Sequence, residues 1–256
     1  EQWYTPNNAY VVVVGDVDHQ TVFAAAEQYY GPLPARPLPG RKPQDEPVQT
    51  GIRRLTVKAP AELPVVMMAY KVPVLRDVDH DVEPYALEML PAVLAGHEAA
   101  RFTNHLIRQQ RLAVDATASY DSTRRGPGVF HLYGSPSEGK TRADLESGLR
   151  AEIALVQAQG VTPDELARAK AQLIAGQIYK LDSIFAQAME IGQLESVGIP
   201  NAQNRRMIEK LQAVTAEQIQ AVARKYFRDE QLTVAELDPQ PLPTTPRARS
   251  PFAPRH

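Results

Sequence analysis

The 256-residue chain contains no cysteine. That absence excludes disulfides, thiolate nucleophiles and thiolate-ligated zinc together. It leaves the compartment open, since cysteine-free chains suit the cytoplasm and the periplasm alike. Charge of one sign is lacking too. The 28 Lys and Arg against 30 Asp and Glu give a net charge of −2, too little to imply nucleic acid, a membrane surface or a polyanion as partner. No apolar run approaches the roughly 18 residues of a membrane span, and the first residues carry no signal-peptide pattern. Histidines at metal-ligand spacing are also missing. His97-Glu98-Ala99-Ala100-Arg101 is one residue short of the H-E-x-x-H zinc signature. Arg101 stands where the second histidine is required, and a guanidinium never loses its proton to ligate a cation. The plain reading of His97, Glu98 and Arg101 is the surface of a helix start. His80, His105 and His131 show no ligand spacing among themselves.

What is present is an ordinary globular composition, 43 % apolar and 23 % charged, long enough for one large domain or two modest ones. Its 22 prolines are unevenly spread. Ala9–Val14 is β-branched and aromatic and reads as a buried strand, followed by a helix His19–Tyr30 that Asp18 can cap. A lone strand and helix cannot bury enough surface to stand alone. Residues 1–34 are therefore expected to be the terminal strand and helix of a truncated first domain. Residues 35–50, with Pro37, Pro39, Pro43 and Pro47, read as an extended linker.

A second unit is expected over residues 51–238. Arg53–Val57, Val65–Val72, Ala113–Tyr120, Gly128–Ser135 and Gln231–Leu237 read as strands. A helix over Tyr85–Leu94, capped by Asp79 or Asp81 and bent at Pro91, precedes the helix containing His97–Gln110. Thr141 opens another that Gly160 closes. Thr162-Pro163-Asp164-Glu165 is a capping box opening one long helix, whose apolar residues keep helical spacing from Leu166 to Leu194. Asn201–Leu211 and Thr215–Tyr226 add two more. The fold class is α+β, an antiparallel-rich mixed sheet packed on one face by helices. Residues 239–256, rich in Pro and Arg, read as a disordered tail. Tyr226–Asp238 can also be laid over Tyr4–Asp16, tyrosine opening and aspartate closing both, which hints at a duplicated architecture.

Several of these features together resemble one family. They are Tyr4-x-Pro6-Asn7-Asn8-Ala9 with Gly15-Asp16-Val17-Asp18, Val65–Pro73 before a helix, Gly96-x-Glu98-x-x-Arg101 with Leu106-Ile107-Arg108, Leu112-Ala113 and the Thr162 box. In order and spacing they are similar to the second half of pitrilysin- or insulinase-type (mitochondrial-processing-peptidase-like) zinc metallopeptidases. The resemblance implies two homologous α+β domains closing as a clamshell on an unfolded peptide, with zinc held by an H-x-x-E-H in the upstream domain. It leans towards a periplasmic setting. No cofactor and no catalytic residue are expected in this chain. His80-Asp81-Val82-Glu83-Pro84, the nearest fit to the motif, lacks the final histidine.

Active relatives lend an arginine and a nearby tyrosine to the substrate. By that resemblance Arg108 is the substrate-binding residue, and Val114 falls where the tyrosine would be. A guanidinium can fork onto a peptide carbonyl or carboxylate, whereas valine donates nothing to an oxyanion. Taken alone, Arg108 reads as a solvated arginine at a helix C-terminus. The functional expectation is the non-catalytic, substrate-binding half of a zinc peptidase. Its partners would be a peptide or unfolded polypeptide and a homologous peptidase domain or subunit. The alternative is a scaffold subunit that handles no peptide.

Overall fold

Strand β2 (Val65–Val72) shows how the chain chooses an inside. Val66, Met68, Tyr70 and Val72 are buried, while Met67 between them is 39 % exposed. Alternating side chains on a pleated strand make one face of the sheet core and leave the other open. The computed structural model describes residues 3–40, 42 and 47–242. Its sheet contains β1 (Arg53–Pro60), β2, β3 (Ala113–Tyr120), β4 (Gly128–Pro136) and β5 (Leu232–Gln240), in the order β1-β5-β2-β4-β3. Only β1 and β5 run parallel; the other neighbours are antiparallel, as expected for the α+β class.

The buried face is covered by α2 (Glu83–Ala95), α3 (Arg142–Gln159) and α7 (Ala216–Tyr226). Leu87, Leu90 and Leu94 of α2 are fully buried, each contributing about 2 kcal/mol over its exposed state. Tyr70, Phe130 and Phe227 form an aromatic contact at 4.8 Å centroid spacings that ties β2, β4 and the end of α7 together. Outside this layer lie α4 (Pro163–Lys180), α5 (Ile184–Val197) and α6 (Asn204–Ala213). Thr141, Thr162 and Thr215 each form a capping box at the start of their helices. Among the described residues no helix is long and apolar enough to cross a membrane.

Several elements differ from the sequence expectation. Residues 9–14 form no ladder, because among the described residues no strand lies beside them to complete one. The helix after them, α1 (His19–Tyr30), does form with Asp18 as its cap, yet it buries no residue. Neither Asp79 nor Asp81 caps α2. Asp81 instead accepts hydrogen bonds from the Arg76 and Asp77 amides, and Val82 occupies the cap position. The single long helix expected from Leu166 to Leu194 is two helices. The turn 181–183 divides them, and Ser183 caps α5 by accepting from the Ala186 amide. Apolar spacing continues across that break, which concealed it. The closing strand runs on to Gln240. Its ladder to β2 stops at Leu237, so Pro239, which lacks an N–H, pairs only where β1 is the neighbour. Residues 243–256, and Pro43 of the expected linker, lie outside the described residues.

Candidate functional site

The segment before β3 winds more widely than an α-helix. Phe102–Gln109 is a π-helix whose closing bond runs from the Gln110 amide to the His105 carbonyl at 2.9 Å. Long π-turns are rare and concentrate at functional sites. Here the wide turn puts Phe102 and Leu106 fully inside and leaves Arg108 outside on the last turn. The chain then reverses through Arg111, whose φ of +49° is uncommon for a residue with a side chain. The Leu112 amide holds that turn by donating to the Leu106 carbonyl at 2.7 Å. Gly148 on α3 allows the close approach beneath it: a Cβ there would lie 2.3 Å from a methyl of Leu112.

Arg108 and Val114 thus share the corner where the π-helix meets the outer strand β3, and both are about half exposed. The guanidinium of Arg108 is not free in this structure. It folds back to an ion pair with the Glu98 carboxylate and donates to the Glu98 carbonyl at 3.0 Å. Both side chains are largely in water, so the pair is worth little and can be exchanged for another anion or carbonyl.

The near-miss zinc signature is used for other purposes. His97 Nδ1 accepts from the Ala99 amide, and Glu98 holds Arg108. Arg101 is not the surface residue expected from the sequence. Its side chain is 10 % exposed and forks onto Glu165 at 2.6 and 2.9 Å, with a third bond to the Gly160 carbonyl. Burial opposes ionisation of Glu165, but the Arg101 and Thr162 hydrogen bonds outweigh it and bring its carboxyl down to about 2. Behind the π-helix, His105 Nδ1 meets the buried Glu152 at 2.8 Å. Sequence reading missed both pairs, because their acidic members sit on α3 and α4, far along the chain. Among the described residues no three His, Cys, Asp or Glu side chains converge to hold a metal ion. The donor set at His97–Arg101 does not fit zinc.

Next to this corner, among the described residues, the sheet's second face carries no helix. One row across it runs Thr117, Tyr133, Met67, Ala235 and Leu55, with Leu55 and Val57 close to half exposed. Its outer strand β3 pairs only with β4 within the sheet. Such a surface offers apolar contact and, at its edge, unpaired backbone groups to an extended chain.

A family model described as the peptidase M16 inactive domain matches residues 1–173. The zinc protease PqqE of Helicobacter pylori is 27 % identical over 249 residues, covering 93 % of this chain and 53 % of that protein. The mitochondrial-processing peptidase subunit beta of Lentinula edodes is 25 % identical over 248 residues, covering 91 % of this chain and 51 % of its own length. The crystal structure of a protease from Helicobacter pylori superposes with a TM-score of 0.84 at 24 % identity, over 93 % of this chain and 57 % of that one. The chain spans about half the length of the curated relatives it matches.

Proposed function

The chain belongs to the peptidase M16 family through its inactive domain, and from that premise we propose that it is the non-catalytic, substrate-binding half of a zinc-dependent peptidase. In this reading a homologous domain or subunit carries the zinc and the hydrolytic chemistry. This chain closes opposite it on an extended peptide. The observation that carries the reading is the uncovered sheet face bordered by Arg108. The face supplies apolar contact, β3 supplies backbone groups, and Arg108 leaves its weak partner Glu98 to grip a substrate carbonyl or carboxylate. Val114 contributes no donor, so any stabilisation of developing charge comes from the partner.

One observation favours the second reading, a scaffold subunit without peptide handling. Arg108 is already satisfied by Glu98. The two readings separate in an assembly of this chain with its zinc-bearing counterpart. Arg108→Ala should lower kcat/KM for peptide about 10-fold to 100-fold, the worth of a charge-assisted hydrogen bond. Unchanged kcat and KM would remove the role assigned to Arg108 and favour the scaffold.

A further inference from the structure

On the helical side of the sheet, away from the open face, a cavity of about 430 Å³ opens between α2, α4, α5, α6 and the β3–β4 turn. A smaller one of about 340 Å³ adjoins it, and Glu88 and Tyr120 line both. A volume of that order accepts a small organic molecule. Its walls include Tyr85, Met189, Leu194 and Met207.

Glu88 is the unusual member of the lining. It sits on α2, a helix otherwise devoted to core packing. Ser122 of the β3–β4 turn hydrogen-bonds its carboxyl, yet Oε2 is buried and among the described residues no donor reaches it. A buried carboxylate oxygen without a donor is costly, and proteins keep such groups where something meets them. The other charges of the cavity do not answer it. Lys180 is engaged at 3.1 Å with both Glu190 and Gln177, and Asp121 accepts from Thr123 within its own turn. The lining therefore holds Glu88, Asp121 and Glu190 against one lysine. The remaining tyrosines are spent as well: Tyr85 donates to the Val78 carbonyl and Tyr120 to the Pro73 carbonyl.

We propose that this cavity binds an amphipathic organic monocation, an alkylammonium or alkylguanidinium group. Its charged head meets the Glu88 carboxylate, and its alkyl part lies against Tyr85, Met189 and Met207. Glu88 lines both cavities, so its carboxylate borders the space that the head group would occupy. The single unpartnered oxygen selects one positive charge, and Lys180 at the rim disfavours a polycation. A metal ion is a poorer match, since no third ligating side chain joins Glu88 and Asp121 among the described residues.

Electrostatics supports the same reading. Burial pushes the Glu88 carboxyl up to about 7, with Ser122 and Lys180 pulling it down and Asp121 pushing it further up. Glu190 of α5 also faces the cavity, while α6 contributes Asn204 and apolar side chains. Cation binding needs the ionised carboxylate, so affinity rises with pH through 7.

The test is calorimetric titration of the whole chain with butylammonium and butylguanidinium, using butanol and butyrate as neutral and anionic controls. The expected result is saturable binding of the cations, at least tenfold tighter than of either control and tighter at pH 8 than at pH 6. Glu88→Gln should weaken the cations at least tenfold while leaving butanol unchanged. Met189→Trp, at an exposed position on the cavity wall, provides a second variant that keeps Glu88 and should also weaken binding. Blocked Gly-Arg-Gly binding more tightly than butylguanidinium identifies an arginine side chain as the natural occupant. The reverse order identifies a free small molecule. Equal binding of cations and butanol, or undiminished cation binding by Glu88→Gln, overturns the proposal. It stands independently of the peptide reading, because neither Arg108 nor the open face enters it.

Discussion

Two arginines of one segment divide the work between structure and solvent. Arg101, at the position that spoils the zinc signature, is buried and forked onto Glu165; Arg108, seven positions on in the numbering, lies half in water on a replaceable partner. The Glu165 carboxyl, ordinarily near 4.5, lies near 2 in the folded chain. A carboxyl lowered in this way contributes stability above its unfolded value and loses it as pH falls through the folded one. The contribution is about 3 kcal/mol at neutral pH, lost between about pH 4.5 and 2. Glu165→Gln should therefore destabilise the chain by about that amount at pH 7, with Arg101 left buried and unpaired. The gap should close towards pH 2. Urea unfolding of both proteins across that range checks it, and parallel pH profiles would disprove the assignment.

At the scale of elements, much was legible and the misses have common causes. Val65–Val72 and Ala113–Tyr120 form with the bounds their alternation implies, and the Thr162 capping box appears where its spacing places it. Those features are written in contiguous residues. The π-helix was not legible, because Phe102 and Leu106 are as compatible with an α-turn as with the wider one. Which of the two forms is decided by α3, whose Gly148 lets Leu112 and Leu106 pack against it. The break between α4 and α5 rests on three residues amid unbroken apolar spacing. The Arg101–Glu165 pair depends on groups far apart in the chain. Arg108 could be singled out from its neighbours, but not its hold on Glu98. Gly148→Ala should cost about 1 to 3 kcal/mol by forcing the π-helix corner away from α3. Thermal unfolding measures the loss, and a melting temperature equal to the parent's would show that the corner has slack.

At the scale of the molecule, residues 3–34 are lightly packed. Tyr10, Val11, Phe23 and Tyr29 are each more than 60 % exposed, and α1 buries nothing. Asn7 ties this segment to the backbone of Arg36 through two hydrogen bonds. Apolar surface of this extent on one helix and its approach marks a contact face. Under the reading proposed above, it is the part that a homologous peptidase domain would cover. Backbone amides of α1 should exchange rapidly with solvent in this chain and slow at least tenfold when that domain is joined to it. Mass-resolved hydrogen exchange reads both states, and equal rates would mean the domain docks elsewhere. The placement of β5 has a different consequence. It is the last of the five strands along the chain, yet it lies between β1 and β2. During synthesis those two strands must wait, edges unpaired, until residues 232–240 have left the ribosome. The sheet is thus completed late by closing a loop of more than 150 residues, a slow, entropically costly step. A chaperone that shields strand edges should matter more to this chain's yield than to that of a helical bundle of equal length.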